Sequence, residues 1–239
     1  VADDGWNSSR DSDGPEHTAQ SERLTSSVPA SMDQRKIYIV SYRTEITASG
    51  RRKPDAAAAI VDQINQGTLL VNYTGHGAHD VWTQERIFVS DVTVPQLTNA
   101  DRLTFMCAAT CTFGLYDAPG VRSGTELLLL KPDGGSIGAL SSPRVVFSDQ
   151  NSAFNKEFLE NLLNKGREDD GRAKRLGEAI YSTKQRYSGV AGYEKFHLFG
   201  DPTTRLALPR YAATLEEIRI NDEAVSADTV QLRALSKVT

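Results

Sequence analysis

The run Thr68-Leu69-Leu70-Val71-Asn72-Tyr73 leads straight into Thr74-Gly75-His76-Gly77, and the reading of this stretch decides the fold. Its apolar residues do not alternate with polar ones, as expected of a strand covered on both faces. Upstream, residues 54–66 (PDAAAAIVDQINQ) place a proline at a helix start, and Gly67 stands just past the end. Earlier still, residues 36–41 (KIYIVS) form a short β-branched and aromatic run with strand character. Downstream, residues 103–109 (LTFMCAA) repeat the buried-strand pattern, and residues 123–131 (SGTELLLLK) open with a Ser-x-x-Glu capping box before the leucines. Residues 135–142 (GSIGALSS) read as a strand of small side chains. Helical spacing then returns at Phe154, Phe158 and Leu162 and again at Leu176, Ile180 and Tyr187. The order of strands and helices predicts an α/β sandwich with helices on both faces of a mostly parallel sheet.

The ends carry less pattern. Residues 5–34 are polar, without periodicity, and read as a long loop or insertion. Residues 196–209 (FHLFGDPTTRLALP) place Gly-Asp-Pro between two short apolar runs, a turn that closes the domain. After Tyr211, residues 215–220 and 229–235 alternate around Asn221-Asp222, a hairpin-like pattern expected of a second, β-rich domain. The chain begins with Val-Ala-Asp-Asp-Gly and lacks a basic-then-apolar leader, so any signal is expected to have been removed or to lie upstream.

Composition excludes several classes. With 27 basic and 31 acidic side chains in 239 residues, a net charge of -4 offers no basic face, and no nucleic-acid partner is expected. No apolar run, the one at Leu127 to Leu130 included, approaches the roughly 18 residues a membrane span needs. Cys107 and Cys111 lie about 13 Å apart at about 3.3 Å per strand residue, too far for a bridge unless the chain turns tightly after Ala109. No cofactor motif occurs. His79 with His76 makes a His-x-x-His pair, but no second close pair accompanies it, and no metal site is expected.

In open α/β sheets ligands bind outside the carboxyl ends of the strands. Val1-Ala2, read as a strand end, is followed by Asp3-Asp4; residues 68–73 are followed by His76; residues 103–109 are followed by Cys111. An acid, an imidazole and a thiol at one edge are what thiol-based acyl transfer needs, since the imidazole activates the thiol and a carboxylate orients the ring. Glycines on both sides of His76 leave backbone amides uncovered, so Gly77 and Cys111 N–H groups are candidates for an oxyanion site. Trp82, Glu85, Asp117 and Arg144 are candidate cleft residues, with Trp82 equally open to a packing role. Cys107 and His197, inside apolar runs, read as structural.

These residues resemble the gingipain family of cysteine peptidases. The resemblance rests on Asn72-Tyr73-Thr74-Gly75-His76-Gly77 followed by Trp82, on Ala109-Thr110-Cys111, and on Phe199-Gly200-Asp201-Pro202. Phe113, Tyr116-Asp117, Gly134-Gly135 and Arg144 are similar to its PorU-type branch, the sortases of the type IX secretion system. The resemblance implies a caspase-like three-layer sandwich over residues 1–210, N-terminally incomplete, and an incomplete β-sandwich (Ig-like) domain over residues 211–239. It implies His76 and Cys111 as the catalytic pair, and it places Asp4 where lysine-specific relatives keep the aspartate that orients the histidine. It also implies a sortase that cuts the C-terminal signal of secreted cargo proteins and attaches them to the bacterial cell surface or outer membrane, working with other secretion components. Thr112 departs from the branch, where an acidic residue is expected. Two rivals stand beside this expectation: a non-catalytic scaffold of the same fold, and an oxidoreductase using Cys107 and Cys111.

Overall fold

The computed structural model describes residues 1–6, 15–165, 171–209, 218–221 and 223–225. In chain order the elements are α1 (Glu16–Thr25), β1 (Glu45–Thr47), β2 (Gly50–Arg52), α2 (Pro54–Asn65), β3 (Leu70–Thr74), β4 (Val81–Trp82), β5 (Phe88–Val89), α3 (Ser90–Thr93), β6 (Thr104–Ala109), α4 (Gly124–Leu129), β7 (Ser136–Ser141), α5 (Ser148–Leu163), α6 (Leu176–Arg186), β8 (His197–Gly200), β9 (Ile218–Ile220) and β10 (Glu223–Val225). They divide into two compact units, Val1–Leu208 and Pro209–Thr239.

The central sheet of the first unit runs β3-β6-β7-β8, with the first three strands parallel and β8 antiparallel to β7. Two short extended pieces lengthen it beyond β3. The Thr74 amide donates to Val1 O at 3.1 Å and the Asp3 amide to Thr74 O at 3.0 Å; on the other side, Ala2 N donates to Ile37 O and Ile39 N to Ala2 O, both at 3.0 Å. The expected strand at residues 36–41 is therefore only a bridge at Tyr38, and it gives way to a 3-10 turn over Ile39–Ser41.

Central position explains the uninterrupted apolar run of β6, all six of whose residues are buried. Alternate side chains feed opposite faces. Met106 and Ala108 join Ala56, Ile60 and Ile64 of α2 and Leu128 of α4 on one side, while Phe105 and Cys107 meet Phe154, Phe158 and Leu162 of α5 and Leu176 and Ala179 of α6 on the other. Each such fully buried large apolar side chain contributes about 1.5–3 kcal/mol. Helix α4 begins where the capping box places it, with the Ser123 hydroxyl accepting from Glu126 N and the Glu126 carboxylate accepting from Ser123 N.

A further expectation needs correction. Residues 5–34 contain helix α1, whose buried positions are His17, Gln20, Ser21 and Leu24. That spacing is helical, but three of the four residues are polar, so no hydrophobic period marked it. The first apolar run of residues 196–209 forms strand β8, and a turn at residues 202–203 follows it, closed by Thr204 N donating to Asp201 O at 3.2 Å. In the second unit, β9 and β10 pair antiparallel around Asn221, which takes a left-handed φ of 51°. The partner run expected at residues 229–235 lies outside the described residues. No helix among the described residues is long and apolar enough to cross a membrane.

Candidate active site

Parallel pairing of β3 with β6 sets Thr74 beside Ala109. His76 and Cys111 therefore each stand two residues past the carboxyl ends of neighbouring strands. The two loops touch: a Cβ added at Gly77 would lie 2.5 Å from Thr110 Oγ1 and 3.0 Å from Val81 O, so only glycine lets the histidine loop pass this close to the cysteine loop. His76 and Cys111 are both half-buried.

The His76 peptide is clamped at both ends. Its N–H donates to Asp3 Oδ2 at 2.9 Å, and its carbonyl accepts from the Tyr73 hydroxyl at 2.5 Å and from Thr83 N at 3.0 Å. Tyr73 is held in turn by stacking on Trp82, 4.2 Å between centroids and 5° between planes. The cysteine loop is sewn to the segment after β7, with Thr112 N donating to Arg144 O at 3.2 Å and Gly114 N to Ser142 O at 3.1 Å. The Cys111 thiol donates to Val146 O at 3.4 Å. Thr112 adopts φ 51°, a left-handed conformation that costs a β-branched residue about 1–3 kcal/mol and turns the chain sharply after the thiol. Among the described residues, neither the Gly77 nor the Cys111 amide has a backbone acceptor.

The two aspartates have different surroundings. Asp4, expected to orient His76, is drawn instead to two cations: its Oδ2 lies 3.2 Å from Arg51 Nη2 and 3.3 Å from Lys53 Nζ. Its neighbour Asp3 faces the histidine and is fully enclosed. Burial pushes the Asp3 carboxyl above the ordinary carboxylate range, against the lowering effect of the His76 amide and of His17 and His76. His17, on α1, meets His76 edge-on with ring centroids 5.2 Å apart. The sequence hid both contacts, because His17 sits in a polar stretch and two adjacent aspartates look alike.

The cleft candidates separate. Trp82 is fully buried between Tyr73 and Phe88 and belongs to the core, which corrects its placement in the cleft. Glu85 is also buried, its Oε1 2.9 Å from Arg51 Nε, and burial pushes its carboxyl up. At 1% exposure it does not line an open surface, which corrects its placement in the cleft. Asp117 and Arg144 remain exposed and form a two-pronged ion pair at the edge that carries Cys111, with Arg144 holding the Asp117 carboxyl below its usual range. Sequence reading missed Val145 and Phe147, about 60% exposed on either side of the carbonyl that receives the thiol. Their signal was an apolar pair in a loop after a strand. His79 lies 3.7 Å from Asp80, and His197 packs near Tyr116 and Phe199. Both cysteines are free.

A mixed, mostly parallel sheet between helical layers, with a histidine and a cysteine on adjacent strand ends, defines the class: a caspase-like α/β sandwich. The complex of Porphyromonas gingivalis RgpB pro- and mature domains shares this fold at TM-score 0.62 and 19% identity, over 92% of this chain and 48% of that one. The Arg-specific cysteine proteinase gingipain R (RGPB) gives TM-score 0.61 and 21% identity over 88% and 46%. Gingipain R2 of Porphyromonas gingivalis is 26% identical over 156 residues, 60% of this chain and 20% of its own length. Gingipain R1 of the same organism matches at the same identity over 15% of its length. The chain thus spans about half of these solved structures and a fifth or less of the curated relatives. Residues 1–207 match the model of peptidase family C25, and the chain belongs to that family.

Proposed function

We propose that this chain carries the catalytic centre of a cysteine endopeptidase, with Cys111 as nucleophile and His76 as its acid and base. The observation that carries the reading is the placement of both residues just past the ends of hydrogen-bonded parallel strands, with Gly77 pressed against Thr110. The Cys111 thiol gives its proton to His76 and its sulfur attacks a peptide carbonyl. The Gly77 and Cys111 amides receive the oxyanion, His76 returns the proton to the leaving amine, and a thioester remains on Cys111. Water then releases an acid, whereas an amine from an acceptor gives a new amide.

The residues similar to the PorU-type branch favour the second outcome: a transpeptidase at the cell surface that removes the C-terminal signal of secreted cargo and joins the cargo to an amine. Residues 1–210 would be its catalytic domain and residues 211–239 the start of a β-sandwich. Asp117, Arg144, Val145 and Phe147 are proposed to contact the polypeptide. Asp3, rather than Asp4, is proposed to position His76.

An electrophilic peptide probe tests the centre. It should label Cys111 in the unmutated protein and lose that labelling in His76→Ala, whereas a scaffold of this fold would show the same slow labelling in both. Adding a peptide amine to a cleaving reaction and finding an amide product supports transpeptidation; hydrolysis alone, at all amine concentrations, removes it.

A further inference from the structure

His17, Asp3 and His76 come together from three separate parts of the chain, and nothing in the thioester chemistry requires His17. One donor atom from each, two imidazole nitrogens and a carboxylate oxygen, lies within 4.8 Å of the others. Asp3 is fully enclosed and His17 only 4% exposed, while His76 is half-buried. We propose that these three residues form a binding site for a divalent transition metal of the zinc class, and that the bound metal takes His76 out of service.

The donor set is the argument. Two histidines and one carboxylate, with a position left for water, is a recurrent zinc arrangement, and tetrahedral bonds of about 2.0–2.1 Å need donors about 3.4 Å apart, so closure by at most about 1.4 Å from the 4.8 Å limit suffices. Asp3 is anchored for the role, its Oδ1 accepting from Gly5 N at 3.2 Å and its Oδ2 from His76 N at 2.9 Å, which leaves lone pairs on both oxygens. A cation there would also offset the burial that disfavours its ionised form. The adjacent grouping of Asp3, Asp4 and Glu85 differs, because Arg51 and Lys53 already neutralise its Asp4 and Glu85. Coordination through one His76 nitrogen leaves the ring proton on the other, so the metal-bound imidazole has no site left to accept the Cys111 proton. This regulatory consequence rests on the peptidase reading, but the binding itself does not.

Zinc affinity is to be measured on the full Cys111→Ala chain by competition with a chromophoric chelator, so that the thiol cannot contribute. One equivalent should bind, more weakly as the pH falls because the imidazoles must be neutral. Cys111→Ala/His17→Ala and Cys111→Ala/His17→Gln should each bind at least about tenfold more weakly, the lower end of what a disturbed ligand sphere costs. Equal affinity in the doubly substituted chains, or no binding by Cys111→Ala, overturns the site. Cobalt(II) spectra of the unmutated protein supply a check independent of those variants. A nitrogen and oxygen ligand field is expected, and a sulfur-to-cobalt charge-transfer band would place the metal on Cys111 instead and overturn it as well. Zinc inhibition, normalised to each protein's own activity, should weaken in parallel in His17→Gln. If the unmutated protein shows no peptidase activity while Cys111→Ala still binds zinc through His17, the peptidase reading fails and the metal site stands.

Discussion

Cys107 and Cys111 are four residues apart, yet they occupy opposite chemical worlds. Cys107 lies inside β6 at 1% exposure, its thiol donating to Asn155 Oδ1 at 3.1 Å, and burial pushes its pKa up to about 12. That sulfur stays protonated at any physiological pH and has no path to a polypeptide. Cys111 stands past the strand end, half-buried, beside uncommitted amides and next to the histidine loop. One strand and the loop that leaves it thus supply an inert packing thiol and a candidate nucleophile. The difference is made by where β6 stops, because the sheet interior is fully buried and the loop past its carboxyl edge is not.

Substitution of each sulfur is the hardest test of that contrast. Cys111→Ala should lower kcat/KM for a cleavable peptide by more than about a thousandfold, while Cys107→Ala should leave it near the parent value. The reverse pattern would break the comparison outright. Gly77→Ala probes the same edge through the backbone. Its new Cβ would press on Thr110 Oγ1 and Val81 O, displacing an oxyanion donor, and kcat should fall about 10²- to 10³-fold with a smaller change in KM.

The interior is tested by stability. Asn155 and Asn72 exchange two amide hydrogen bonds of 2.7 and 3.1 Å across the layer, and Asn155 also receives the Cys107 thiol. Asn155→Ala orphans both partners and should cost about 1–3 kcal/mol in urea unfolding. The smallest expected effect is alkaline. Below pH 9.0 the Cys107 thiol is protonated in folded and unfolded chains alike and contributes no pH dependence. As pH rises from 9.0 toward about 12 the unfolded chain releases this proton and the folded chain retains it, so stability falls. The melting temperature of the parent should drop faster over this window than that of Cys107→Ala; parallel curves would show that Cys107 is not buried as described.

Much of the layered architecture was legible because it rests on local rules. Proline at the start of α2, the Ser123–Glu126 box of α4 and the unalternating runs of β3 and β6 each carry their own signal. Helix α1 was not legible, since its buried face is His17, Gln20 and Ser21 with a single leucine, and a helix held by polar contacts leaves no hydrophobic period. Trp82 was ambiguous for a related reason: an aromatic residue near a site serves a wall or a core equally well until its neighbours are known.

By itself the sequence determined the sandwich and the pairing of a histidine loop with a cysteine loop at one sheet edge, since strand direction and chain order follow from short-range patterns and from the geometry of parallel connections. Only the tertiary structure decided that Asp3 rather than Asp4 meets His76, that His17 joins them, and that Trp82 and Glu85 are buried. Those outcomes depend on which distant cation or ring reaches a side chain first, and Arg51, Lys53 and Tyr73 come to it through the folded sheet, not through neighbouring positions in the chain.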